Sequence, residues 1–138
     1  MYKKMTLILF LSCLCDACTE SDRDYVWKSR TVNVSAYNSV EWQTDDEPSV
    51  AAWGDTLKPG MKTVAVSQDL LQLGLEQGTQ LKIKGLEGIY VVKDKMNSRW
   101  KNKIDIYMGN DIEKAREWGM KEIKIEYRVK RKANTKTE

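Results

Sequence analysis

The sequence contains no histidine, and its three cysteines, Cys13, Cys15 and Cys18, all lie within the first eighteen residues. The absence of histidine excludes Ser-His-Asp and Cys-His catalysis and every histidine-based metal site. The rest of the chain has no thiolate nucleophile and no intramolecular disulfide. We therefore expect no metal and no cofactor, and any catalysis must depend on carboxylates, Lys, Tyr, Ser or Thr.

A large excess of charge of one sign is also lacking. The 138 residues carry a formal net charge of +3, which is too even to indicate a strong nucleic-acid binder. The length indicates one domain, and the balance of 41% hydrophobic and 31% charged residues is typical of a globular one. No nucleic-acid partner is expected.

The amino terminus has an apolar stretch that is too short to span a bilayer. Lys3 and Lys4 precede it, and it runs over residues 6–15. A basic start followed by a short apolar stretch is typical of a secretory signal peptide. We therefore predict that residues 1–17 direct export of the protein.

The end of this stretch is similar to a bacterial lipoprotein signal, which is cleaved before a cysteine that becomes lipidated. Cys18 is the predicted lipidation site, because Ala17 and Cys15 are small residues at the −1 and −3 positions. Cys13 is an alternative, and a plain signal peptide with an unmodified cysteine is another. The prediction is an outer-membrane lipoprotein that faces the periplasm and is held to the membrane by its lipid anchor.

Residues 18–30 are predicted to be a polar linker, and residues 130–138 a disordered basic tail. Between them, alternating polar and apolar residues and short β-branched runs predict strands. These lie at residues 31–37, 62–67, 80–85, 89–94, 104–107 and 121–128, and the third and fourth form a hairpin.

Helical signals are few. Asn110 and Glu113 form a capping-box-like pattern, and Gly119 is expected to end that helix. Residues 69–73 fit a helical turn or a short strand. The expected fold is mainly β: a small closed barrel over residues 31–129 with one short helix.

Two aspartates bracket a polar, basic loop. Asp94 ends one predicted strand, and Asp105 lies between Ile104 and Ile106, so that it faces away from them. The pair is either a site or two unrelated surface residues. In the loop, Trp100 offers an aromatic face for stacking on sugar rings. Arg99 and Lys101 offer positive charge for acidic sugars or peptide stems, although a solvated loop charge is the ordinary interpretation.

The order of several short motifs resembles the three-aspartate (3D) domain. The motifs lie at residues 34–39, 64–67, 78–79, 92–94, 104–107 and 115–119. This family is similar to the barrel of membrane-bound lytic transglycosylase A and of rare lipoprotein A. The resemblance implies a six-stranded double-psi β-barrel that cleaves the glycan strands of peptidoglycan.

The resemblance also implies roles for individual residues. Asp94 and Asp105 match the second and third family aspartates in spacing. Asp94 would be the general acid and base, and Asp105 would tune its pKa or orient the substrate. Ser67 stands where the first aspartate is expected, and Asp69 is a possible replacement. Tyr37 would line the groove.

The loop at residues 96–101 departs from the family's glycine-rich pattern, and Trp100 stands at the position of its lysine. Two functions therefore remain in competition. One is a lytic-transglycosylase-like enzyme, and the other is a non-catalytic module that binds peptidoglycan or another polysaccharide on the same barrel.

Overall fold

Short alternating segments of the chain form six strands, which confirms the mainly-β prediction. The computed structural model describes residues 22–39 and 50–132. A 3-10 turn at Asp22–Asp24 is followed by β1 (Tyr25–Tyr37), β2 (Thr63–Val66), α1 (Gln68–Leu71), β3 (Gln80–Ile83), β4 (Tyr90–Lys95), β5 (Lys103–Tyr107), α2 (Ile112–Trp118) and β6 (Lys121–Lys130).

The six strands close into a barrel in the order β1-β5-β2-β4-β3-β6. The pairs β1–β5 and β2–β4 are parallel, whereas the other four pairs are antiparallel. The predicted hairpin between β3 and β4 is confirmed. Within the described strands, it is the one case in which strands consecutive in sequence are also neighbours in the barrel.

The barrel interior is filled by branched aliphatic side chains from every strand. Period-two alternation directs them inward, and Ile104 and Ile106 are buried while Asp105 between them is partly exposed, as predicted. The strand β2 is buried on both faces. The side chains that form this core include Val32, Val34, Val64, Val66, Leu81, Ile83, Val92, Ile104 and Ile125.

The predicted linker at residues 18–30 is wrong over its last six residues. The strand β1 begins at Tyr25, and its first six residues pair with the end of β6, from Tyr25 opposite Lys130 to Arg30 opposite Ile125. Four consecutive residues of this segment, 27–30, are exposed. It is therefore held by backbone pairing, and no alternation of hydrophobicity marks it.

Two helices are present where one was predicted. The ambiguous segment at residues 69–73 forms the single turn α1 and places Leu70 in the core. The helix α2 is capped by Asp111, whose side chain accepts a hydrogen bond from the Lys114 amide, and not by Asn110. Gly119 ends α2 with a φ of 65°, as predicted.

Several predictions fall outside the described residues. They are the signal peptide at residues 1–17, the lipidation site at Cys18 or Cys13, and residues 133–138 of the predicted tail. The prediction of a disordered tail from residue 130 is wrong at its start, because Lys130 ends β6 and the Arg131 amide donates a hydrogen bond to the Asp24 carbonyl. No helix in the described part of the chain is long and apolar enough to cross a membrane.

Candidate functional site

Asp94 and Asp105 lie in one row across four strands of the barrel. Asp105 on β5 is opposite Ser35 on β1 and Ala65 on β2, and Ala65 is opposite Asp94 on β4. Residues directly opposite one another project from the same face of a sheet. Both carboxylates therefore lie on the outer face, about 10 Å apart at their backbones because one strand separates them.

A β-bulge on β4 turns Asp94 outward. Val64 is opposite Val92, whereas the next residue of β2, Ala65, is opposite Asp94, so Lys93 is an extra residue. Without this insertion Asp94 would share the inward face of Val92, because residues two apart in a strand project to the same side. Bulges commonly redirect a side chain in this way next to functional sites.

Asp105 is held by a hydroxyl and a cation. The Ser35 hydroxyl donates to its carboxylate, and the Lys103 Nζ lies 3.3 Å from it. The Lys103 side chain is only 9% exposed, and its Nζ is 3.8 Å from the centre of the Trp100 ring. Burial of this cation costs desolvation free energy, which the aromatic face and the paired carboxylate offset in part. The negative charge of Asp105 is therefore matched locally.

Asp94 is bound by backbone amides. Its Oδ1 accepts hydrogen bonds from the amides of Ala52, at 2.7 Å, and Lys95, at 2.8 Å. Ala52 belongs to a turn closed by the bridge between Val50 and Thr56. The carboxylate thus fastens this turn to β4, so the turn forms one wall beside Asp94.

Tyr37 lies near both aspartates. It shares the outer face of β1 with Ser35, and its ring lies 5.5 Å from that of Tyr107, tilted by 55°. Burial raises the pKa of the Tyr37 phenol well above its ordinary value, and the nearby carboxylates of Asp94 and Asp105 raise it further. The phenol therefore stays protonated, and its oxygen is buried beneath the surface of this face.

Two predicted binding residues are placed behind this face. Ser67 is fully buried, and its hydroxyl accepts a hydrogen bond from the Lys103 amide at 3.0 Å. The Asp69 carboxylate accepts one from the Asn102 amide at 2.9 Å. Burial acts to raise the pKa of Asp69, but the Ser67 hydroxyl and the Asn102 amide outweigh it, so the pKa is lowered. Both residues fasten the end of the 96–102 loop to the barrel.

The other predicted loop residues are at the surface. Trp100 is 37% exposed, and the Arg99 guanidinium lies 5.2 Å from its ring centre. Lys101 is exposed and close enough to Asp69 to help lower the pKa of that carboxyl. The structure therefore brings Tyr37, Asp94 and Asp105 to one face, and it places Trp100 beside Asp105 through Lys103.

Sequence reasoning missed Ser35 and Lys103. A usable signal was present for each, because both are related by strand periodicity to a residue that was identified. Ser35 is two residues before Tyr37 on β1, and Lys103 is two residues before Asp105 on β5, so each pair shares a face. Across residues 22–39 and 50–132, no group of three or more acidic residues has an arrangement that could hold a metal ion.

The chain is thus a small mainly-β barrel with two carboxylates, a buried tyrosine and an aromatic–cation contact on one outer face. Solved structures with a similar fold include the Streptomyces papain inhibitor, at a TM-score of 0.51 and 16% sequence identity. The match covers 75% of this chain and 96% of that one. No protein-family model and no curated protein matches the chain. At this identity the likeness bears on the fold alone.

Proposed function

We propose that this chain is an exported protein of the three-aspartate type that cleaves the glycan strands of peptidoglycan, as a lytic transglycosylase does. The observation that carries the proposal is the common outer face of Asp94, Asp105 and Tyr37. A six-stranded barrel with two parallel pairs and few sequential neighbours is compatible with the double-psi topology that the resemblance implies. Export and anchoring through Cys18 belong to the same proposal.

The reaction needs one carboxyl group that acts twice. Asp94 in its acid form donates a proton to the oxygen that leaves when the glycosidic bond after N-acetylmuramic acid breaks. The resulting carboxylate then takes the proton from the 6-hydroxyl of the same sugar, whose oxygen bonds to the anomeric carbon and closes an anhydro ring. No water is consumed, and Asp94 ends in its starting state.

Asp105 has a different part in this proposal. Like-charge coupling between two carboxylates requires them to be close, whereas one strand lies between Asp94 and Asp105, and Lys103 already matches the charge of Asp105. We therefore assign Asp105 to substrate orientation together with Ser35 and Lys103. The Tyr37 ring packs against Tyr107 and supports this face, and Trp100 stacks on a sugar ring further along the strand.

A second candidate function is glycan binding without cleavage. The observation that favours it is the extent to which both carboxylates are already engaged, Asp94 with two backbone amides and Asp105 with Ser35 and Lys103. In this alternative the outer face holds a glycan strand through Tyr37 and Trp100 and breaks no bond.

Digestion of purified peptidoglycan separates the candidates. The wild type and Asp94→Asn are compared by mass spectrometry of the products, with Asp24→Asn as the control because Asp24 lies in the 3-10 turn before β1. Asparagine keeps an oxygen that can accept from the Ala52 amide, so the turn beside the site is retained. Anhydromuramic products from the wild type and Asp24→Asn, but not from Asp94→Asn, support the enzyme.

The other outcomes decide against it. Products that have gained water rule out the transglycosylase step. If no products form but the protein sediments with peptidoglycan and Trp100→Ala does not, the second candidate holds. Absence of both cleavage and sedimentation refutes both functions.

A further inference from the structure

A basic groove lies at the end of the barrel remote from the paired aspartates. It has a volume of about 930 Å³ and is bordered by the start of β1, the end of β6 and residues 72–80. Tyr25 at this end is ten residues before Ser35 on β1, which corresponds to roughly 33 Å of strand. The groove is therefore separate from the candidate glycan site.

The charges around this groove are mostly positive. Glu76 is the one acidic residue among those that line it, and Asp22 nearby is paired with Arg128 at 2.7 Å. The cations that line it are Lys28, Arg128, Lys130, Arg131 and Lys132. At the opposite end of the barrel, the comparable cleft has three lysines against Asp111 and Glu117. The groove therefore has the larger excess of positive charge of these two clefts.

Apolar and aromatic side chains accompany these charges. Leu73 lines the groove and is 40% exposed, and Trp27, on the same outer face of β1 as Tyr25, is 44% exposed. The Arg128 guanidinium lies 4.1 Å from the centre of the Tyr25 ring. Exposed aromatic residues next to Lys and Arg are typical of surfaces that contact the headgroup region of a bilayer.

The start of the described chain, at this end of the barrel, lies close in sequence to the proposed lipidation site at Cys18. Cys18 is four residues before Asp22, where the described chain begins, and four extended residues reach at most about 14 Å. A lipid on Cys18 would therefore hold the basic end of the barrel close to the bilayer. An anionic lipid surface is the partner that matches both the charge and this tether, because Lys and Arg near such a surface are attracted within about one Debye length.

We infer that the groove end of the barrel, formed by Lys28, Arg131, Lys132 and their neighbours, docks on anionic lipid headgroups. Asp94 and Asp105, further along the barrel wall, are then held at a distance from the membrane. The inference uses the lipid anchor of the proposed function but does not depend on glycan cleavage.

The test measures binding to lipid vesicles of the chain from residue 18 onward, without the predicted signal peptide, whose apolar stretch would itself bind lipid. Cys18→Ser is introduced in every sample so that no acyl group contributes, and vesicles of phosphatidylcholine are compared with vesicles that also contain phosphatidylglycerol. The charge reversal Arg131→Glu/Lys132→Glu is set against Lys58→Glu/Lys114→Glu, which makes the same change at exposed positions near the other end. We expect the first pair to weaken binding to anionic vesicles about tenfold or more and the second to have little effect.

The inference fails if Arg131→Glu/Lys132→Glu does not weaken binding to anionic vesicles. It also fails if both double variants weaken binding equally, because net charge alone would then explain the effect. Release of the protein from anionic vesicles by millimolar glycerol phosphate would indicate a soluble anion as the ligand and would overturn it too. Thermal unfolding of each variant verifies that the barrel is intact. Because Cys18 is absent from the assay, failure of the predicted lipidation leaves the result unaffected.

Discussion

Lys103 links the loop and the strand of the candidate site. Its ammonium group lies between the Trp100 ring and the Asp105 carboxylate and is almost fully buried. Removal of one partner from such a pair leaves the other desolvated and without its counter-charge. We expect Lys103→Met to lower the free energy of unfolding by about 1–3 kcal/mol, measured by urea denaturation near pH 7.

Lys101→Met is the matched control because Lys101 is exposed, and its effect should stay within about 0.5 kcal/mol. The double variant Lys103→Met/Asp105→Asn should lose less than the sum of the two single variants, since the unpaired charge is gone. Equal losses for Lys103→Met and Lys101→Met would show that the buried pair contributes nothing specific.

The raised pKa of Tyr37 predicts that the free energy of unfolding falls at alkaline pH. Its pKa is raised in the folded protein, so the folded state binds the phenolic proton more tightly than the unfolded chain, whose tyrosines have a pKa of about 10. This contribution to stability is complete below pH 10 and is lost as the pH rises above it. Tyr37→Phe removes the contribution, so the unfolding free energy of the variant should fall less steeply above pH 10.

Urea unfolding of wild type and Tyr37→Phe between pH 8 and pH 11 provides the measurement. Tyr90, whose pKa is also raised by burial, is present in both proteins and contributes equally to both curves. Parallel curves over the whole range would contradict the raised pKa of the buried Tyr37 phenol.

For Asp94, the sequence predicted the place in a strand but not the face on which the side chain lies. Its place at the end of a strand was predictable from the β-branched run before it. Its direction was not, because strict alternation from the buried Val92 directs Asp94 into the barrel. The extra residue at Lys93 reverses this, and a bulge leaves no hydrophobic pattern in the sequence.

At the scale of elements, the sequence pattern and the structure assign the N-cap of α2 to different residues. The Asp111 carboxylate accepts from the Lys114 amide at 3.0 Å, whereas the sequence pattern favoured Asn110. Loss of an N-cap side chain costs about 1 kcal/mol. Asp111→Ala should therefore destabilise the protein by about that amount and Asn110→Ala by much less, as measured by thermal unfolding. The reverse order would restore Asn110 as the cap.

Elements with one buried face were predictable from sequence, whereas a strand segment stabilised by backbone hydrogen bonds alone was not. The alternation in β5 and the glycine after α2 located those elements because burial and backbone conformation constrain the sequence there. The first half of β1 has no such constraint, since residues 27–30 are all exposed. In that segment the hydrogen bonds to β6 stabilise the strand whatever the side chains are.

For the whole molecule, this first half of β1 is part of the barrel wall. Deletion of residues 22–30 removes the pairing partner of Ile125–Lys130, six residues of β6. With roughly 0.5–1.5 kcal/mol for each lost hydrogen bond, we expect the unfolding free energy to fall by about 3 kcal/mol or more in urea titrations. An unchanged value would mean that residues 18–30 act as the linker that composition predicts.

The closed barrel was predictable as a class from several short strands with glycine turns. The order of its strands was not, because pairing between distant segments depends on side-chain fit across the closed wall. Asp94 and Asp105 could be placed on separate strands from sequence, but their common face follows from Ala65, which pairs with both. The site is therefore a property of the strand order.

That strand order also constrains when the protein can fold. The strand β1 pairs with β5 and β6, the last two strands to leave the ribosome. Pairing across most of the chain must wait for loop closure over that distance and is intrinsically slow. The strands β2 to β5 can pair among themselves earlier, but the barrel closes only when β6 is made. The gap between β1 and β3 in the barrel wall therefore stays open until β6, which pairs with both, has left the ribosome.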